Sequence, residues 1–163
     1  MSDPIIDQLN ATGVAYEVVK CDPSLADTAE FCAAYGYELA DSANTIIVVG
    51  KGDPKTFAAC VVLADSRLDV NGVVRKKLGA RKASFASGDQ TVELTGMAIG
   101  GVTAAGLPAD LPLWIDERVM SRDRVVLGGG SRDRKIVGPP ALLAALPNAE
   151  VVEALAKVPD PSA

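Results

Sequence analysis

Two glycine clusters, Gly100-Gly101 and Gly128-Gly129-Gly130, interrupt apolar stretches and are the residues best suited to grip a ligand by its polar atoms. A backbone without Cβ admits close approach, and its bare N–H groups bind an oxyanion or a carbonyl. The same pattern also serves tight turns between strands. A second feature is Ser42-Ala43-Asn44-Thr45-Ile46-Ile47-Val48-Val49, a β-branched run that begins with an amide and a hydroxyl. Asn44 is either a cap on a loop or one wall of a site. The rest of the chemistry is bounded by what is missing. The chain has no histidine, which removes Ser-His-Asp and Cys-His nucleophile systems and the usual zinc sites. Cys21, Cys32 and Cys60 have neither metal-ligand nor redox-motif spacing and read as small hydrophobes in a reducing compartment. No G-x-x-x-x-G-K-S/T, G-x-G-x-x-G or G-x-S-x-G motif is present. Asp116 and Glu117 are adjacent in a predicted strand, so they point to opposite faces and do not share a site.

The elements that must position these residues are readable from pattern. Asp3-Pro4 opens a helix that Gly13 ends. Residues 15–20 read as a strand, and Thr28 caps a helix that stops at Gly36. Runs 45–50 and 56–64 flank a turn-rich Gly50-Lys51-Gly52-Asp53-Pro54 and predict a hairpin of buried strands. Asp69 caps a third helix with Val70, Val73, Val74 and Leu78 inward and Arg75, Lys76 and Lys77 outward. A short strand at 83–85 and a helix of one to two turns ending at Gly96 follow. Residues 96–112 are too rich in glycine for a regular element and too apolar for a solvated linker. Three strands, in "LWIDE", "RVVLGGG" and "KIVG", precede a last helix from Pro139-Pro140 to Pro147. The expected class is α+β: a mixed, curled sheet with four or five helices. With 163 residues the chain fits one domain over 1–163, its core at about 28–146 and a disordered tail after about 160.

Charge is uneven. The net charge of −5 argues against indiscriminate nucleic-acid binding, and no DNA partner is expected. Five bases, Arg75, Lys76, Lys77, Arg81 and Lys82, fall within eight residues, and six more lie between Arg118 and Lys135. Each group is either a solvated face or a local contact for a phosphate backbone. There is no signal-peptide pattern and no apolar run long enough to span a bilayer, so a cytoplasmic protein without a membrane partner is expected.

The helix "TAEFCAA", the strand opening "ANTIIVV", then "ADSRLDV", "ELTGMAIGGVTAAG", "LPLWIDE", "GGGSRD" and a closing P-x-x-LL helix occur in that order. Together they resemble the YbaK family, the editing domain inserted in bacterial prolyl-tRNA synthetases and also found as free-standing deacylases. The resemblance runs from about Thr28 to Leu146. It implies a pocket between the glycine loop and the strand pair at 45–64. It further implies hydrolysis of the ester joining a wrong small amino acid to the 3′ end of a tRNA of the tRNA-Pro type. No metal or organic cofactor is implied. Aminoacyl-tRNA is the implied partner, with an aminoacyl-tRNA synthetase as a further one. Carried onto this sequence, catalysis falls to Asn44, Gly100 and Gly101. Substrate binding falls to Thr28, Thr45, Thr103, Ala104, Asp116, Gly129, Gly130 and Ser131, and tRNA docking to the five bases at 75–82.

The sequence departs from the family pattern twice. Asn44 stands where relatives usually carry a lysine, and Ala104 stands where the loop usually has a proline. An amide donates hydrogen bonds but brings no cation. Three readings therefore remain open: a deacylase acting in trans, a non-catalytic relative that binds an aminoacyl-tRNA end or an amino-acid derivative, and a partner-binding domain without a ligand.

Overall fold

The computed structural model describes residues 3–158; the tail expected after about 160 lies outside them. Helix α1, Pro4–Ala11, begins on Asp3, whose carboxylate accepts from the N–H groups of Ile5 and Ile6. Strand β1, Glu17–Lys20, and helix α2, Thr28–Tyr35, follow. Asp27, not Thr28, is the N-cap of α2, so Thr28 is already helical, and Gly36 closes the helix in the left-handed conformation. Strands β2, Ala43–Gly50, and β3, Thr56–Leu63, pair antiparallel along their whole length as the expected hairpin.

After the short β4, Arg67–Leu68, a π-type turn over Val70–Val74 runs into helix α3, Arg75–Leu78. Strand β5, Ala83–Phe85, leads to helix α4, Gly88–Thr95, whose Ser87 and Gln90 form a reciprocal capping box. Strands β6, Leu113–Asp116, β7, Val125–Gly128, and β8, Arg134–Gly138, come next. The last helix, α5, is only Ala141–Ala144. Beyond it the chain forms two strands that sequence pattern does not announce, β9, Ala149–Val152, and β10, Ala156–Lys157.

Five strands form a mixed sheet in the order β5-β2-β3-β6-β9, with β3-β6 and β6-β9 parallel. Three more, β1-β8-β7, form an antiparallel sheet, and β4 pairs with β10. The hairpin is buried on both faces, which explains its continuous apolar run. Ile47, Ala59 and Val61 join a core with Leu113, Ile115 and Ile136, which α4 and the glycine-rich segment cover through Leu94, Ala104 and Ala105. Val48, Ala58, Cys60 and Val62 join a second core with Trp114, covered by Val74 and Leu78 of the turn and α3. A third cluster, with Phe31, Cys21, Val126 and Val137, seats α2 on the three-stranded sheet.

Candidate functional site

A cavity of about 270 Å³ lies along β2, where that strand runs between the two sheets. Its origin is a break in strand pairing. Ala64 N–H donates to Ser42 O at 2.8 Å, which sets the phase in which even-numbered residues of β2 bond to β3. Odd-numbered residues then face the other edge. There Lys51 N–H donates to Lys82 O and Ala86 N–H to Ile47 O, both at 2.9 Å, extending the ladder with β5. Past Ala86 the chain turns into α4, and at the far end a bridge between Ser42 and Val126 ties β2 to β7. Thr45 sits between these two attachments with no strand partner on that side. Its Oγ1 is buried and also lacks a hydrogen-bond partner. The cavity occupies this one-residue gap.

Its walls come from six segments. Asn44, Thr45, Ile46 and Ile47 form the floor, with Ala86 and Thr91 on one side, and Ile99, Gly100 and Val102 form a loop above. Thr28 at the start of α2, Gly128 at the end of β7 and Lys135 on β8 complete it. Thr28 Oγ1 lies 3.1 Å and Ser42 Oγ 3.4 Å from Asn44 Oδ1, so two hydroxyls fix the plane of the amide. Among the described residues, the N–H groups of Gly100 and Val102 make no hydrogen bond and remain as donors. No Cys, Asp or Glu side chain lines the cavity. Nor does any group of three or more such side chains among the described residues converge as a metal site requires.

The glycines divide by role. Gly100 lines the cavity with φ +88°, and a Cβ there would overlap the Arg132 guanidinium. Arg132 clamps the loop by donating to Pro23 O at 3.0 Å and, at 3.1 Å each, to Asp27 Oδ1 and Ile99 O. Gly101 does not reach the cavity. Its N–H is spent on Ala98 O at 2.9 Å, its carbonyl accepts from Gly130 N–H at 2.6 Å, and its bare Cα faces the Ser131 backbone. Gly129 and Gly130 make room for Arg134 and Ile5. Gly101 and Gly130 spend their N–H groups within the protein, and the bare Cα atoms let two loops meet.

Other residues singled out by sequence lie elsewhere. Thr103 is buried with its hydroxyl unpartnered, and Ala104 lines a separate small cavity with Leu107 and Leu111. Ser131 donates to Asp133. Asp116 is fully buried on the side of β6 that carries Trp114. There its Oδ1 accepts from Ala156 N–H at 3.4 Å, and burial pushes its carboxyl above the ordinary range. Lys77 pairs with Glu150 at 2.7 Å and lies over the Trp114 ring, on the face of the sheet away from α4. Arg75 donates to Asn71 O. Lys82, by contrast, lines a second depression with Lys51, Lys55, Ser84 and Gln90, next to the cavity along β2, β5 and α4.

Sequence reasoning misses Lys135. It falls in the group of bases read as a surface patch, yet it is 6% exposed. The available signal is its place inside a short strand whose neighbours Ile136 and Val137 face two different cores.

The comparisons with known proteins bear on the family and the fold. A family model described as the aminoacyl-tRNA editing domain matches residues 22–146. The structure of hypothetical protein APE2540 superposes with a TM-score of 0.84 at 25% identity, covering 95% of this chain and 100% of that one. A proposed trans-editing enzyme for prolyl-tRNA synthetase superposes with a TM-score of 0.78 at 27% identity, covering 96% and 98%. No helix among the described residues is long and apolar enough to cross a membrane.

Proposed function

The chain belongs to the aminoacyl-tRNA editing domain family, and from that premise we propose that it deacylates mischarged tRNA in trans, clearing a small amino acid from a tRNA of the tRNA-Pro type. The observation that carries the reading is the cavity at the gap in the β2 ladder. Its volume of about 270 Å³ falls just below the roughly 300–1,000 Å³ of sites that hold whole drug-sized ligands. It suits an aminoacyl group with part of its sugar. The unpaired Thr45 edge offers an acceptor for the substrate's ammonium and a donor for its carbonyl. Gly100 and Val102 line the same cavity, and their free N–H groups serve as donors for the charge that develops on the ester oxygen.

No thiol or carboxylate lines the cavity, and no histidine is present to activate its threonine hydroxyls, so the attacking group in this reading is water. Water adds to the ester carbonyl, the tetrahedral oxyanion collapses, and the ribose oxygen leaves with a proton. The neighbouring ribose hydroxyl is placed to relay that proton. Each well-aimed oxyanion donor contributes on the order of 10²–10³ in rate, enough for an ester already activated by its sugar. The similar trans-editing protein supports both the substrate class and a working association with prolyl-tRNA synthetase. For tRNA docking, Lys51, Lys55 and Lys82 are the better placed cations, because they line the neighbouring depression whereas Lys77 is paired across the sheet.

The test is release of amino acid from Ala-, Cys-, Ser- and Thr-charged tRNA-Pro, measured against buffer. Release above the spontaneous rate for at least one of them is expected. A chain that accelerates none is not a deacylase of this kind, and the reading of a binding-only relative then replaces it.

A further inference from the structure

Lys135 is a buried lysine without a carboxylate. Its Nζ donates to Gly100 O at 3.2 Å and stands 5.5 Å from the centre of the Phe31 ring. No salt bridge to it exists among the described residues, whereas Lys77 and Lys157 each have an acidic partner. Asp27, the acidic residue near it, is held by Arg132 at 3.1 Å. The other titratable groups nearby are the thiols of Cys21 and Cys32. An ammonium has three N–H donors, and protein oxygen satisfies one of Lys135's. Removing such a group from water is costly unless something repays it, and the side chain opens on the cavity. Desolvation lowers its pKa from the ordinary lysine range, as a poorly compensated buried ammonium requires.

We propose that Lys135 is the catalytic cation of this site, its ammonium donating to the oxyanion that forms on the ester carbonyl during deacylation. The inference rests on the deacylase reading and names a residue for it. The charge comes from β8 and enters the cavity that Asn44, Gly100 and Val102 also line. The substrate oxygen supplies the second acceptor that the ammonium lacks in the free protein. A cation there acts on the transition state more than on the bound ester, so its loss lowers kcat more than it raises KM.

The experiment compares wild type, Lys135→Met, Lys135→Arg and the double variant Lys135→Met with Asn44→Lys on a mischarged tRNA. Methionine keeps the apolar stem and removes the buried charge, so Lys135→Met is expected to unfold in urea at or above the wild-type midpoint. Its kcat is expected to fall by about 10²–10³-fold with KM within about threefold. Partial recovery in Lys135→Arg, or in the double variant that returns an ammonium to the same cavity from β2, would identify charge rather than packing as the cause. A wild type that deacylates alongside a Lys135→Met variant within threefold of its kcat overturns the assignment and leaves the deacylase reading standing. A wild type that deacylates nothing overturns both.

Discussion

Gly101→Ala is a direct probe of how the cavity is held open. A Cβ at Gly101 would stand 2.5 Å from Ser131 O, 2.6 Å from its carbonyl carbon and 2.7 Å from its nitrogen. All three are backbone atoms, so no rotamer change relieves the overlap. Ordinary contact begins at 3.4 Å, and the two loops must therefore part by roughly 0.9 Å. Parting them strains the Gly130 N–H bond to Gly101 O, now 2.6 Å. Overpacking of this kind costs about 1–3 kcal/mol, and a weakened hydrogen bond adds up to about 1 kcal/mol. The stiffer unfolded chain returns about 0.4–1 kcal/mol. The net expectation is a loss centred on about 2 kcal/mol. With a urea m-value of about 2 kcal/mol per molar, the unfolding midpoint falls by about 1 M. Trp114, the only tryptophan and 6% exposed, reports the transition by fluorescence. Gly88→Ala is the control: it opens α4, a Cβ there would meet only Ile99 at 3.9 Å, and helix propensity favours it by about 0.5–1 kcal/mol. A Gly101→Ala midpoint at or above wild type, with Gly88→Ala rising as expected, would refute the account of the glycine loops as a packed contact.

Two further predictions follow from charge. Asp116 has its carboxyl raised by burial, so the native state holds its proton to higher pH than the unfolded chain, whose ordinary value is 3.8. Stability is then lost as pH rises from about that value through the raised native one, and Asp116→Asn is expected to gain on wild type between pH 3.5 and pH 7 in paired urea melts; a gap that shrinks with rising pH would contradict it. Replacing Lys51, Lys55 and Lys82 by glutamine is expected to weaken tRNA binding and to flatten log K against log salt by about 2–3, from about 0.7–0.9 per phosphate contact. The equivalent change at Arg75, Lys76 and Lys77 is expected to do less, and the reverse ranking in filter-binding titrations would move the docking face to α3.

What was legible in the sequence is what local pattern dictates. The hairpin of β2 and β3 is written as a continuous β-branched run because both its faces are covered. The fold class followed from such runs, and the family resemblance from the order of short motifs such as ELTGMAIGGVTAAG and GGGSRD. Strand β9 was not legible, since Glu150 and Val151 are exposed and its pairing comes from lying beside β6, not from alternation of its own. The glycine clusters were visible as bare backbone, but sequence cannot say whether a ligand or another loop fills the space a Cβ would take. At Gly101 and Gly130 it is another part of the chain. Lys135 was hidden by counting: charge tallies record that a base exists, not which side of a strand it leaves from.

The two departures at the start of β2 and in the loop acquire a physical meaning together. Ala104 faces a different cavity from the one Asn44 lines, so the missing loop proline acts on packing rather than on ligand contact. Asn44 is held by hydroxyls from Ser42 and Thr28, one on its own strand and one on α2. A lysine at that position would lack the amide oxygen to which those hydroxyls are bound. It would also bring a second ammonium into the cavity that already holds Lys135, with no carboxylate lining it to offset the repulsion. The amide and the β8 lysine are therefore mutually consistent choices. Because the ladder gap at Thr45 brings β2 and the three-stranded sheet to one space, a charge on either faces the same cavity. In the proposed reaction the cation can then come from a different strand and still serve the same cavity.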